Sequence, residues 1–302
     1  MVRTVIKASL GVLLCGAAFT AQAFNVFACE PEWAALTKAL MPQVVVFTAT
    51  HHLQDPHHIE ARPALIAQLR RANLAVCTGA SLEAGWLPML QQRAGNPAVQ
   101  EGRPGLFYAA DHVDLIDPYK GSVTPFSGDV HVEGNPHLHA DPHRLLKVAQ
   151  ALRQRLTELL PDQASAIDAR HRQFDASLRA KLAEWERRAQ AIRGKEVVGQ
   201  HASLGYLWSW LGLRQVADLE PKPGMPPTPV HLEKTLLKLK AQPAMAIVVA
   251  SHQDPRAGKW LSAQLGSAVP LLILPATVTQ EGEAAFFQWY EQLVSALVQS
   301  AR

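Results

Sequence analysis

Histidines are concentrated in two short stretches of this chain and recur singly after two apolar runs. Four of the thirteen histidines lie between positions 51 and 58, and four more lie between positions 131 and 143. His201 and His252 each follow an apolar run that is typical of a β-strand. Imidazole is the commonest neutral protein ligand for transition metals and suits zinc, copper and nickel. We therefore expect one histidine from each of several loops to bind a single metal ion.

The elements that must position these histidines form an alternation of strands and helices. Apolar runs predict strands at 24–29, 44–48, 74–77 and 105–110, and again at 196–199, 245–250 and 271–274. Amphipathic segments between them predict helices. This alternation indicates an α/β fold with two similar lobes, each a parallel sheet flanked by helices. Ligands bind at the carboxyl ends of parallel strands, which is where the histidine-containing loops begin.

One long helix is predicted between the two lobes. Apolar or small residues recur every three or four positions from Ile167 to Ile192, with one gap. A helix of about 32 residues would extend roughly 48 Å, which is more than one lobe needs. We expect a rigid connector running along both lobes, with a coiled coil as the alternative. The predicted division is a leader over 1–23, a first lobe over 24–160, the connector over 161–194 and a second lobe over 195–302.

The first 23 residues have the pattern of a secretory signal. Arg3 and Lys7 form a positive region, the apolar core that follows is too short to span a membrane, and residues 21–23 form a small-residue cleavage site. An uncleaved anchor is the alternative. A lipoprotein site at Cys15 is disfavoured because Leu14 stands where a small residue is expected. We expect an exported, periplasmic protein with no other membrane-spanning stretch.

The mature chain is nearly neutral. The sequence has 29 basic and 26 acidic residues, and the leader carries two of the basic residues and no acidic one, which leaves a net charge of +1. That balance gives no reason to expect nucleic acid or an anionic membrane surface as a partner.

Two cysteines, Cys29 and Cys77, remain after export into an oxidising compartment, where such a pair tends to form a disulfide. Each cysteine ends a strand-like run, so a bridge is feasible if those two strands are neighbours. Two free buried thiols are the alternative. A metal site on these cysteines is disfavoured because no Cys-x-x-Cys spacing occurs.

Several short motifs make the chain similar to a known family. They are Asp55-Pro56-His57 with Arg62-Pro63, Ala75–Gly79 with Leu82-Glu83, Gly134–His137 with Asp141-Pro142, Val197–His201 with Tyr206 and Leu211–Leu213, and Gln253–Arg256. Over essentially the whole mature chain, the sequence resembles the periplasmic zinc- and manganese-binding proteins of metal ABC transporters, the ZnuA-like cluster. This resemblance implies a metal site in the cleft between two lobes and a membrane permease as partner.

The resemblance also implies the metal ligands. The family's first ligand histidine follows a proline and matches His57, its second precedes an Asp-Pro pair by four residues and matches His137, and its third follows the strand that opens the second lobe and matches His201. Many members supply a carboxylate as the fourth ligand, but the matching places near residues 250 and 276 hold alanine. We predict His252 as the fourth ligand, with Asp254 or a water molecule as alternatives. A nitrogen-rich site favours zinc over manganese and leaves copper and nickel open.

The leading hypothesis is a monomeric periplasmic protein that captures zinc and delivers it to an ABC permease. A zinc-dependent hydrolase is the second hypothesis, because three histidines and a water molecule also describe catalytic zinc. The sequence contains no His-Glu-x-x-His, Gly-x-Ser-x-Gly or P-loop motif. A metal-binding adhesin or storage protein is the third. The other clustered histidines are expected to be solvated, to collect metal loosely or to orient a ligand: His51, His52, His58, His131, His139 and His143.

Overall fold

The structure is a computed structural model that describes residues 23–124 and 127–301. The predicted leader, apart from residue 23, therefore lies outside the described residues. Within the described part of the chain, none of the helices combines the length and the hydrophobicity needed to cross a bilayer.

The first sheet consists of four parallel strands in the order β2-β1-β3-β4. They are β1 (Asn25–Ala28), β2 (Val45–Thr48), β3 (Leu74–Cys77) and β4 (Leu106–Tyr108), and the helices that connect them are α1 (Pro31–Leu40), α2 (Pro63–Arg70) and α3 (Leu87–Ala94). Each helix has a proline in its first turn, where the missing N–H costs no helical hydrogen bond. The carboxyl ends of all four strands meet at one edge, as predicted.

The second sheet repeats this topology with the order β6-β5-β7-β8, again fully parallel. Its elements are β5 (Glu196–Gly199), β6 (Arg214–Asp218), β7 (Ala246–Ala250) and β8 (Leu271–Leu274), with α6 (Gly205–Leu211), α7 (Pro229–Ala241), α8 (Arg256–Leu265) and α9 (Glu283–Ser300). The sequence did not predict β6. This strand lies at the sheet edge and has no buried residue, so it lacks the apolar run that identifies an interior strand.

Along the chain, two consecutive helices lie between the strands of the first sheet and those of the second. They are α4 (Pro142–Leu159) and α5 (Ala164–Ala189). The longer one, α5, has 26 residues, and a short 3₁₀ turn lies on each side of it, over Pro161–Gln163 and Gln190–Ile192. Helix α5 packs against α1 and α4 of the first lobe and against α9, and α9 also contacts α1. The connector and the last helix therefore join the two lobes through one continuous core.

The predicted disulfide between Cys29 and Cys77 is present, with the two Cα atoms 4.8 Å apart. Strands β1 and β3 pair directly, and Ala28 is in register with Val76, so the next residue of each strand carries a thiol. Both cysteines are fully buried. The bridge ties together the central strands of the first sheet at their carboxyl ends, beside the loops that carry the histidines.

Candidate metal site

Three of the predicted ligands, His57, His137 and His201, meet in the structure. Each offers a ring nitrogen, and these three atoms lie within 4.8 Å of one another. The ring centroids are 5.2 Å apart for His57 and His201, 5.4 Å for His57 and His137, and 5.6 Å for His137 and His201. All three side chains are buried. Three converging imidazoles from three separate loops can together coordinate one transition-metal ion.

The loop between β2 and α2 places His57. The backbone N–H of His57 donates to the Asp55 carboxylate at 3.0 Å, and the ring Nδ1 lies 2.7 Å from the same oxygen. The backbone contact is an Asx turn, which an aspartate commonly makes with the residue two positions later. The indole N–H of Trp86 donates to the Pro56 carbonyl at 2.9 Å. The imidazole Nδ1 is therefore held by Asp55, and Nε2 is left for the site.

Asn135 positions His137 and also links the two lobes. Its side-chain oxygen accepts the His137 backbone N–H at 2.9 Å, and its side-chain NH₂ donates to the Ala202 carbonyl at 2.9 Å. The Tyr206 hydroxyl donates to the Asn135 carbonyl at 2.7 Å. The Nε2 atom of His137 is buried and has no hydrogen-bond partner among the described residues. A buried nitrogen without a partner carries a desolvation cost that a bound metal ion would remove.

His201 follows β5 closely and adopts a left-handed backbone conformation, with φ at +62°. That conformation is unfavourable for a residue with a Cβ atom. Asp218 supports it by accepting the His201 backbone N–H at 3.0 Å. The ring Nδ1 lies 3.1 Å from a carboxylate oxygen of Glu220, whose side chain is itself largely buried. Ligand histidines in metal sites commonly donate their second ring N–H to a carboxylate in this way.

Sequence reasoning missed Glu220 and the role of Asp218. Asp218 ends β6 and Glu220 follows it, and this edge strand has no apolar run that would place them at the carboxyl edge. The available signal was an acidic pair two residues apart just before the proline-rich segment at 221–229.

The surroundings of two predicted ligands, His137 and His201, shift the pKa values of their imidazoles in opposite directions. Burial, with added repulsion from His57 and His201, holds the pKa of His137 well below its ordinary value. Burial also acts to lower the pKa of His201, but the neighbouring Glu220 carboxylate outweighs it and the pKa is raised. Burial acts to raise the pKa of Asp55, but the hydrogen bonds from His57 outweigh it and the pKa lies well below the usual range. When ionised, Asp55 and Glu220 together carry the charge that balances a divalent cation.

His252 lies beside the three histidines without joining them. It lines one small cavity together with His137 and His139, and a second, more open one with Asp55 and Glu220. Burial lowers the pKa of His252, and the Asp55 carboxylate partly opposes this effect. Asp254, the alternative fourth ligand, is exposed and forms an ion pair with Arg256.

The other clustered histidines are dispersed around the site. His51 and His58 are exposed, His139 is buried 3.0 Å from a carboxylate oxygen of Glu32, and His143 contacts Glu186 at 2.8 Å. His131 is the exception, because its ring lies against His57 with the centroids 5.3 Å apart.

Replacing Glu220 with glutamine is expected to weaken zinc binding by about ten- to hundredfold, because the His201 ring loses its carboxylate partner while the side-chain shape is kept. Competition titration against a chromophoric chelator measures the change. Glu233→Gln, at an exposed position on α7, is the matched control and should leave the affinity unchanged. Equal affinities for both variants would exclude a role for Glu220 in orienting the ligand.

Several known proteins are similar to this chain. A family model described as the periplasmic component A of the zinc-uptake complex, ZnuA, matches residues 26–300. The high-affinity zinc uptake system protein ZnuA of Yersinia pestis is 24% identical over 212 residues, which is 67% of each chain. A crystal structure of ZnuA superposes with a TM-score of 0.77 at 20% identity, covering 93% of this chain and 100% of that one. A Mn-bound mutant of a periplasmic metal binding protein from Candidatus Liberibacter asiaticus gives a TM-score of 0.72 at 16% identity, covering 91% and 99%.

Proposed function

Because this chain belongs to the ZnuA family of periplasmic zinc-uptake components, we propose that it captures Zn²⁺ outside the cytoplasm and delivers it to an ABC permease. The observation that carries the proposal is the convergence of His57, His137 and His201, whose ligand atoms lie within 4.8 Å of one another. His57 and His201 have carboxylate partners on their second ring nitrogens. This arrangement supports a pre-organised site for one divalent ion.

Zinc is the proposed cargo among divalent metals. The grouped donors are all imidazole nitrogens, which suit zinc, whereas manganese prefers carboxylate, carbonyl and water oxygens. The carboxylates of Asp55 and Glu220 are engaged by the ligand rings, which leaves them orienting ligands and balancing charge. The sequence predicts His252 as a fourth ligand, and this residue lines the cavities next to the group.

The two lobes have separate roles in this proposal. Residues 24–160 supply His57 and His137, residues 195–302 supply His201, and residues 161–194 are the connector. The support for this division is that α4 and α5 lie between the two sheets in the order of elements along the chain. Because α5 and α9 pack along the first lobe, we infer that metal release needs only a small shift of His201 relative to the other two ligands.

The family is a substrate-binding component of transport rather than an enzyme, and we propose the same of this chain. A hydrolytic zinc site needs a general base beside the metal-bound water. Here the carboxylates of Asp55 and Glu220 each contact the ring of a proposed ligand. Neither carboxylate is therefore placed to act as the general base. Hydrolysis of a model ester that is abolished by a chelator would support the enzyme instead.

The direct test is zinc titration of the mature, chelator-stripped protein beside zinc-limited growth of cells that lack the gene. We expect one zinc ion per chain with a dissociation constant of about 1 nM or tighter. The wild-type gene should restore growth under chelation, and a variant lacking all three histidines should not. Weak binding of several ions, or no growth defect in the deleted cells, would overturn the proposal. Tight binding without a growth defect would point to storage or adhesion.

A further inference from the structure

His131 brings a fourth ring nitrogen to the edge of the site. Its Nε2 lies 3.2 Å from His57 Nε2, and its Nδ1 lies 3.0 Å from the Ala80 carbonyl oxygen. The side chain is half-buried. Among the described residues, the rings in contact with His57 are those of His58, His131, His137 and His201, and His252 is not one of them.

The hydrogen bonds of the His57 and His131 rings indicate which ring nitrogens carry a hydrogen. A carbonyl oxygen can only accept, so Nδ1 of His131 carries the hydrogen and Nε2 carries a lone pair. The carboxylate of Asp55 likewise accepts from Nδ1 of His57, which leaves a lone pair on Nε2 of His57. In the neutral rings two lone pairs therefore face each other at 3.2 Å. Only a cation between them can make this contact favourable.

The distance between the two nitrogens fits a shared metal ion. Two nitrogens bound to one tetrahedral zinc at about 2.0–2.1 Å are about 3.3–3.4 Å apart. The separation of 3.2 Å between His57 and His131 is close to that value. His131 lies outside the group of three whose ligand atoms are all within 4.8 Å, so a bound ion would draw its ring towards His137 and His201.

The backbone around His131 is held by both lobes. The Tyr119 N–H donates to the His131 carbonyl at 3.0 Å, and the Asp129 N–H donates to the Pro223 carbonyl of the second lobe at 3.0 Å. Gly128 approaches Pro223 so closely that a Cβ atom would overlap the Pro223 carbonyl oxygen. His131 is therefore presented to the site by a tethered segment, whereas His58 is an exposed side chain on the surface.

We propose that His131 is the fourth metal ligand of this site and takes the position that the sequence assigned to His252. The inference rests on the proposed zinc capture and specifies its ligand set. His131 then completes a shell of four imidazole nitrogens, with ligands from the loops after β2, β4 and β5. Because its segment contacts the second lobe at Pro223, metal binding by His131 would also connect the two lobes.

The test uses Co²⁺ as a spectroscopic substitute and Zn²⁺ for affinity, both added to the mature, chelator-stripped protein. His131→Ala, His252→Ala and the exposed control His143→Ala, whose imidazole contacts Glu186, are compared with wild type. Of these three variants, we expect only His131→Ala to change the visible cobalt spectrum and to weaken zinc binding by about a hundredfold or more, the loss expected for one of four ligands. Added imidazole should restore the wild-type spectrum in His131→Gly, because it can refill the vacated position. Rescue of this kind separates a ligand from a residue that only supports the fold.

A wild-type cobalt spectrum in His131→Ala, or no response of His131→Gly to imidazole, would overturn the assignment and would mean that a proton, not the metal, lies between the two rings. A changed spectrum in His252→Ala would overturn it in favour of His252. Either result still leaves one tight site that depends on His57, His137 and His201. Failure of the proposed function looks different, because wild type itself would then lack a single tight site.

Discussion

Replacing His137 with alanine should weaken zinc binding by about a hundredfold or more. Zinc sites of four protein ligands bind with about 10–16 kcal/mol at neutral pH, so one ligand accounts for about 3 kcal/mol, and each 1.4 kcal/mol is a factor of about ten. His137 is buried and its Nε2 has no hydrogen-bond partner among the described residues, so the loss of this atom breaks no hydrogen bond of the metal-free protein. The effect should therefore fall on metal binding rather than on folding.

Competition titration gives the affinity, and thermal unfolding with and without zinc gives an independent measure. Zinc at about a hundred times the dissociation constant should stabilise the wild-type protein by about 2.7 kcal/mol. His137→Ala should lose most of this stabilisation at the same zinc concentration while its metal-free unfolding temperature changes little. His143→Ala is the matched control, because that histidine is nearby in sequence, exposed and paired with Glu186. Equal behaviour of the two variants would refute the three-histidine site.

Removing the disulfide should lower the free energy of unfolding by roughly 2–4 kcal/mol. The bridge closes a segment with a sequence separation of 48 between two paired central strands, so it restricts the unfolded chain strongly. Both cysteines are buried, so the double variant Cys29→Ala, Cys77→Ala also leaves a small void beside β1 and β3. We expect the fold to persist, because the sheet pairing and the core of the first lobe do not depend on the sulfurs.

Denaturant unfolding followed by tryptophan fluorescence measures this change. Reducing agent should shift the unfolding midpoint of wild type towards that of the double variant and leave the double variant unaffected. The latter comparison controls for effects of the reductant itself. Two free buried thiols, the alternative that the sequence left open, would instead give a wild-type midpoint that reductant does not move.

Much of the fold follows from local patterns. The strands at Leu74–Cys77, Glu196–Gly199 and Leu271–Leu274 have the bounds that the sequence predicts. The Thr228 side chain caps α7, and Pro229 is the first residue of this helix. Apolar runs, prolines and caps act over a few residues, so their effects can be read without knowledge of distant contacts. The edge strand β6 was missed because its position, rather than its composition, makes it a strand.

The sequence by itself determined the two-lobe α/β organisation and the cysteine pair and, through shared motifs, predicted the histidines at 57, 137 and 201 as metal ligands. Only the tertiary structure decided which other side chains join them. Glu220 lies behind His201, and His131 lies against His57, although 74 positions separate those two histidines. His252 follows its strand as the others do but lies beside the group. Periodicity reports which face a residue occupies in its own element, whereas a metal site depends on strand order, register and the angle between lobes, which local sequence does not encode.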